Sequence, residues 1–351
     1  MNERLREHFI EQAGFCEAYG SPFTARLMEA LLADLDAGGP TAALIGDWPG
    51  HPRGDALSLR LTGALHAAAL TGRSPALAAL YPAAMPAWSM DAVWPVARTF
   101  LAAEHDWVAA FIQSPPQTNE VRRSIGLLAG FLDIARVCDL PMETLEIGAS
   151  AGLNLNWDRF HYKTDTWRWG DTTSAVTIDT DWRGPPPAID ARPVVRARAA
   201  CDQNPLDIRD SAQRLRLRAY VWPDQPERLA RFDGACDLAI ASGVTVERAD
   251  AAEWLERKLA ARATDAVTVV YHSIFLQYPP RETQARIAAL IAAAGEAGPA
   301  PLVWLRLEPE AVLGGPRESS RILIDTVTWP GAERRVLGET DGHVRGVASL
   351  L

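Results

Sequence analysis

Cysteine is scarce and dispersed in this sequence. Four residues, Cys16, Cys138, Cys201 and Cys236, are scattered over 351 positions. They form no Cys-x-x-Cys pair and no Cys/His cluster, so the ligand spacing of a structural zinc site is absent and no metal is expected. The thiols read instead as reduced and buried. Blocks of positive charge are missing too: 35 Lys and Arg face 44 Asp and Glu, for a net charge of −9. Phosphate backbones and anionic membranes both require clustered cations, so neither nucleic acid nor a membrane is expected as a partner. No apolar run approaches the ~20 residues of a membrane span. The opening Met1-Asn2-Glu3-Arg4-Leu5-Arg6-Glu7 is charged and amphipathic, without the apolar core and small-residue cleavage site of a secretory signal. A cytoplasmic protein is the expectation these absences leave. They say nothing of its oligomeric state.

What is present is an ordinary globular composition, 48% hydrophobic and 23% charged, in a chain long enough for two domains. Residues 1–140 read as an all-helical N-terminal domain. Leu5, Phe9, Ala13 and Cys16 recur at helical spacing, and Gly20 ends the run. Ser21-Pro22 reads as an N-cap and first-turn proline ahead of the Leu27, Met28, Leu31, Leu32, Leu35 stripe, which Gly38-Gly39-Pro40 closes. Further helices are expected over residues 55–70, from Ser74-Pro75, and over 91–112 and 119–138. After Leu140-Pro141 short β-rich runs alternate with helices through residues 141–351, the pattern of an α/β domain. Strands are expected at 144–147, 194–199, 244–247, 266–271 and 301–307, with closing strands at 321–329, 334–337 and 344–348. A tryptophan-rich stretch at about 157–192, with Trp157, Trp167, Trp169 and Trp182, reads as an insertion.

The α/β part is organised around residues 144–155, Thr-Leu-Glu-Ile-Gly-Ala-Ser-Ala-Gly-Leu-Asn-Leu. An apolar run passes through a turn marked by Gly148 and Gly152, then resumes as a pattern that can start a helix. A strand, a tight loop and a helix N-terminus aim bare N–H groups at a ligand, and glycines let the chain bend and the ligand approach. A dinucleotide loop would read GxGxxG, with its acid about 20 residues later. Here the acid, Glu146, comes first, which disfavours an NAD-dependent oxidoreductase. The arrangement resembles the first motif of S-adenosylmethionine-dependent methyltransferases, with Ser150 where that family most often has its middle glycine. The resemblance implies S-adenosylmethionine as cofactor, held by Glu146, Gly148, Ser150, Gly152 and Asn154. It also implies a Rossmann-like, mostly parallel methyltransferase sheet of seven strands ending in an antiparallel hairpin. The competing reading is a plain strand-to-helix connection.

Open α/β sheets bind ligands beyond the carboxyl ends of their strands, so polar residues there are candidates. Asp202, after strand 194–199, is assigned to the ribose hydroxyls. Asp179, 33 residues after Glu146, is the alternative, set aside because no helix of crossover length separates it from the loop. Asp250 stands where the resemblance to methyltransferases implies an acid against the adenine amino group. For Asp202 and Asp250 the competing reading is a helix N-cap. His272 ends strand 266–271, a position that the resemblance to methyltransferases implies faces the transferred methyl group, where a histidine can act as general base, its ordinary pKa lying near working pH; the competing reading is a histidine satisfied by backbone. Residues 117–123, Gln-Thr-Asn-Glu-Val-Arg-Arg, and the insertion's four tryptophans are candidates for acceptor contacts, against a helix start and plain packing.

The whole chain resembles one bacterial family, the domain-of-unknown-function family 2332. The phrases that carry this are Gln117-Thr118-Asn119-Glu120, Trp157-Asp158-Arg159 after the loop, Trp182-Arg183-Gly184-Pro185, Tyr220-Val221-Trp222-Pro223-Asp224-Gln225, Val270-Tyr271-His272-Ser273 and Trp304-Leu305-Arg306-Leu307-Glu308-Pro309. The resemblance implies a methyltransferase-like core and no particular substrate. The leading expectation is a methyltransferase acting on a small-molecule acceptor, mostly by positioning. The alternative is a non-catalytic nucleoside-binding or regulatory protein on the same fold.

Overall fold

The apolar stripes of the N-terminal part form helices in a computed structural model that describes residues 3–298 and 300–351. Met1 and Asn2 of the amphipathic opening therefore lie outside the described residues. The chain separates into two units, Met1–Thr118 with Arg209–Ala230, and Asn119–Ile208 with Arg231–Leu351.

The first unit contains α1 (Glu3–Ala18), α2 (Pro22–Asp36), α3 (Pro40–Ile45), α4 (Leu57–Leu70), α5 (Pro75–Ala78), α6 (Met90–Ala103) and α7 (His105–Phe111). Leu5, Phe9, Leu27, Met28, Leu31, Leu61 and Leu65 meet in its core. Gly38-Gly39-Pro40 ends one helix and begins another, because proline at N1 has no N–H to waste. The helix expected over 91–112 breaks at Glu104, whose φ of −109° and ψ of 29° leave the helical region. Ser21 does not cap α2 with its side chain. Its hydroxyl and the Phe23 N–H instead both donate to Asp224, at 2.5 and 2.9 Å, so a carboxylate distant in sequence takes the cap position.

The second unit begins with a 3-10 turn, Val121–Arg123, and α8 (Ser124–Val137). Compactness thus divides the chain at Thr118/Asn119 rather than at the change of pattern near residue 140. The reason is that α8 packs its apolar face on the sheet. That sheet is built from β1 (Met142–Ile147), and from later strands separated by a small second sheet of β2 (His161–Lys163), β3 (Arg168–Trp169) and β4 (Thr177–Asp179). The main sheet continues with β5 (Asp181–Arg183), β6 (Val195–Asp202), β7 (Val246–Arg248), β8 (Val267–Ser273), β9 (Leu302–Pro309), β10 (Ile322–Trp329), β11 (Glu333–Thr340) and β12 (Gly346–Ser349). Helix α9 (Ser211–Ala219) and the start of α10 (Pro226–Ser242) belong to the first unit, and the rest of α10, α11 (Ala251–Ala260) and α12 (Arg281–Ala297) to the second.

The nine strands run in the order β5-β12-β11-β10-β9-β8-β1-β6-β7. From β7 to β9 all neighbours are parallel. From β9 to β12 they are antiparallel, and β5 lies parallel to β12 at the edge. This is an α/β fold with a large, mostly parallel mixed sheet. It has nine strands where seven are expected, and the expected closing antiparallel pair is extended over β10, β11 and β12. Only a short 3-10 turn, Glu310–Leu313, follows β9, and without a crossover helix the chain can only return antiparallel. The insertion adds the edge strand β5, and its tryptophans pack against other aromatic rings. Trp167 meets Trp182 edge to face at 5.0 Å, and Trp157 lies flat on Phe131 at 3.9 Å. No described helix is long and apolar enough to cross a membrane.

From β1 the chain passes to β6 and β7 on one side, then returns to β8 and β9 on the other. The carboxyl end of β1 is therefore a topological switch point, where neighbouring connections diverge and where open α/β sheets bind their ligands.

Candidate functional site

The loop leaving β1 alternates its backbone handedness. Gly148, Ser150 and Gly152 have φ of +68°, +54° and +72°. Glycine adopts this region freely, whereas a residue with a Cβ persists there at a cost of about 1–3 kcal/mol only when its surroundings demand it. For Ser150 the demand is visible. Its N–H donates to Asp202 Oδ2 at 2.8 Å, and its carbonyl accepts from Leu206 N–H at 3.4 Å. The other oxygen of Asp202 accepts the Asn204 N–H at 2.8 Å. One half-buried carboxylate at the end of β6 thus ties two loops together. The two glycines serve close packing as well. A Cβ on Gly148 would sit 2.2 Å from Phe275 Cδ2, and one on Gly152 2.8 Å from Val246 Cγ2.

The α-helix expected after the loop is instead a 3-10 segment, Leu153–Arg159, kinked at Asn156. Asn154 and Asn156 disfavour regular helix because their amides compete for backbone bonds. The first N–H of the segment, on Leu153, donates to Asn119 Oδ1 at 2.9 Å, and Asn154 Nδ2 donates to the Glu120 carbonyl at 3.3 Å. Part of the polar run at 117–123, an acceptor candidate from sequence, therefore braces the loop.

Glu146, one residue from the end of β1, is buried and accepts from the Tyr271 hydroxyl at 3.0 Å. Burial pushes its pKa up to about 8; the Tyr271 bond opposes the rise and the nearby Asp202 charge adds to it. A carboxyl group in this state is protonated at neutral pH.

His272 is fully buried. Its Nε2 lies 2.9 Å from Trp304 Nε1, which can only donate, so the proton sits on Nδ1 and is given to Glu308 Oε1 at 2.7 Å. The same Glu308 oxygen accepts the N–H groups of Phe275 and Leu276 at 2.6 and 3.2 Å. Both ring nitrogens are committed inside the protein, and in this geometry neither faces a methyl acceptor. Asp250 caps α11, its Oδ1 accepting from Ala252 and Glu253 N–H at 2.9 and 3.1 Å. Ala249 N–H donates to the Asp202 carbonyl at 3.0 Å, which keeps Asp250 beside the end of β6. Asp179 is exposed on β4, 3.6 Å from Lys163.

The fold thus gathers Glu146, residues 148–154, Asp202 and Asp250, and seals His272 away. Tyr271, Phe275 and Glu308 went unassigned in the sequence, and Asn119, there an acceptor candidate, is here a brace for the loop. Glu308 had a signal, since period-two alternation along 304–308 sets Trp304, Arg306 and Glu308 on one face of β9. Among the described residues no group of three or more His, Cys, Asp or Glu side chains could hold a metal ion.

The chain belongs to the family described as "Uncharacterized protein conserved in bacteria (DUF2332)", whose model matches residues 6–348. No curated protein and no solved structure matches it.

Proposed function

We propose that the carboxyl ends of β1 and β6 bind S-adenosylmethionine, and that the protein is a methyltransferase for a small-molecule acceptor. The observation that carries this reading is Ser150, held at φ +54° between two left-handed glycines by the acid that ends the neighbouring strand. A serine kept in a glycine's conformation preserves the backbone of a ligand-cradling loop at the switch point of the sheet. The polar groups suit a nucleoside. Each Asp202 oxygen accepts one backbone N–H and retains a lone pair for a ribose hydroxyl. Both cap bonds of Asp250 fall on Oδ1, so Oδ2 remains for the adenine amino group. Ser150 Oγ is buried without a partner.

When bound, the cofactor would supply a methyl group activated by its sulfonium. The chain's part would be positioning, by the loop and Asp202. Glu146, kept neutral by its burial at the end of β1, would bring no charge to the site. His272 takes no role as base in this reading. Its closure favours the second reading, a nucleoside-binding protein that does no chemistry.

A ligand at 100 times its dissociation constant stabilises the native state by about 2.7 kcal/mol. S-adenosylmethionine or S-adenosylhomocysteine should therefore raise the melting temperature while NAD does not. No shift with either nucleoside at about millimolar concentration, where even weak sites fill, overturns the proposal. Binding with no methyl transfer to any of a panel of small nucleophiles favours the second reading.

A further inference from the structure

We infer that a groove in the helical unit is a binding site for a small aromatic monocarboxylate, held by Arg216 beside the rings of Trp107 and Phe111. Every residue that lines the groove belongs to the first unit. The inference therefore stands apart from the nucleoside reading.

The groove has a volume of about 770 Å³ and lies between the C-terminal end of α4, one face of α7 and the start of α9. Small-molecule sites occupy about 300–1,000 Å³, with mostly apolar and aromatic walls and a few placed polar groups. Trp107 and Phe111 are four residues apart, so they share a face of α7, and their ring centres are 5.4 Å apart. Both are only partly buried. An aromatic ring left partly in water at a concave surface keeps apolar area to bury against a ligand.

Each ring carries a guanidinium. Arg73 lies 4.9 Å from the Trp107 ring centre and Arg216 4.5 Å from that of Phe111. The two arginines differ in what balances their charge. Arg73 is ion-paired with Glu104, which also lines the groove. Arg216 is held by neutral groups. Its Nη2 donates to the Phe111 and Ser114 carbonyls at 3.1 and 3.0 Å and to the Tyr220 hydroxyl at 3.4 Å. Among the described residues no carboxylate pairs with it. These bonds fix the guanidinium at the end of α7 and leave its Nε and Nη1 for a ligand.

The groove thus offers aromatic walls and one uncompensated positive charge, in a chain whose net charge is −9. An uncharged ring would leave the guanidinium unanswered. A phosphate monoester carries close to two negative charges and asks for a second free cation, which the pairing of Arg73 with Glu104 removes. A cationic amine would meet two arginines. A flat monoanion answers what is there. Its carboxylate takes the open N–H groups of Arg216, and its ring lies against the aromatic and guanidinium planes.

Titration calorimetry on the full chain tests this with indole-3-carboxylate and indole-3-carboxamide, which share ring and shape and differ in charge. The native protein should bind the acid at least about ten-fold tighter than the amide. Arg216→Gln can still donate to the two carbonyls, and it should bring the two ligands within about two-fold of each other. Trp107→Leu should weaken both by about five-fold or more. Equal affinities in the native protein, or binding of neither ligand at about 10 mM, overturn the site. So does a preference that survives Arg216→Gln, or affinities that survive Trp107→Leu. If Arg216→Gln fails to fold, the native comparison and Trp107→Leu decide. Neither ligand is a nucleoside, so failure here leaves the reading of the β1 loop standing.

Discussion

The Ser150 N–H and the Asp202 carboxylate hold each other across two strands: the bond is 2.8 Å long, and it fixes the one loop residue whose side chain opposes its left-handed backbone. The loop after β1 is therefore as much a product of β6 as of its own sequence.

Removing that carboxylate should be felt twice. Asp202→Ala leaves the Ser150 and Asn204 N–H groups without their acceptor. We expect a loss of about 1–3 kcal/mol in stability, with weaker nucleoside binding. Asp179→Ala removes an exposed contact to Lys163 and should stay within about 0.5 kcal/mol, with binding unchanged. Urea unfolding and calorimetry on the two variants check both statements. A loss of affinity in the Asp179 variant would move the ribose site away from β6.

Ser150 itself should tolerate glycine and reject a branched side chain. Ser150→Gly removes the left-handed penalty while adding chain entropy to the unfolded state, so a change within about 1 kcal/mol is expected. Ser150→Val places a β-branched residue at φ +54° and should lose a further 1–3 kcal/mol, roughly. Equal stability of the two variants would mean that the loop relaxes out of this conformation.

Glu146 predicts a slope in the pH dependence of stability. Burial raises its pKa to about 8 in the folded protein from the 4.5 of a free glutamate, so between these values the native state keeps a proton that the unfolded chain has lost. Its contribution is complete below pH 4.5, declines as pH rises toward 8 and is constant above that. Each unit of difference corresponds to about 1.4 kcal/mol. Glu146→Gln has the same shape without the charge, so the native protein should lose stability relative to this variant between about pH 5 and pH 8. Unfolding midpoints across that range measure the difference, and a flat difference would mean that the carboxyl is ionised throughout.

His272 should behave as a structural residue. His272→Phe strips partners from the Trp304 N–H and from buried Glu308, with an expected loss of about 3–5 kcal/mol by chemical denaturation. A change within about 0.5 kcal/mol, as at a solvated surface position, would show that the ring is not committed to these partners.

Much of the strand and helix order was legible along the chain, because it depends on local periodicity. β8 shows this most plainly: its run of apolar, β-branched residues is buried nearly end to end, as a central parallel strand requires. The glycine-marked loop and the strand-end acids Asp202 and Asp250 were legible for the same reason, since turn residues and alternation act within a few positions. What each side chain bonds to was not. Asn119 reaches Leu153, Asp224 reaches Ser21 and Glu308 reaches His272 over 34, 203 and 36 residues. No local pattern encodes such pairings, because they exist only once separate elements are packed together. His272 shows the consequence. Its place at the end of a strand follows from sequence, while its role is decided by Trp304 and Glu308 on the adjacent strand. They enclose the ring in a dry interior, where an unpaired nitrogen would be too unfavourable to leave open.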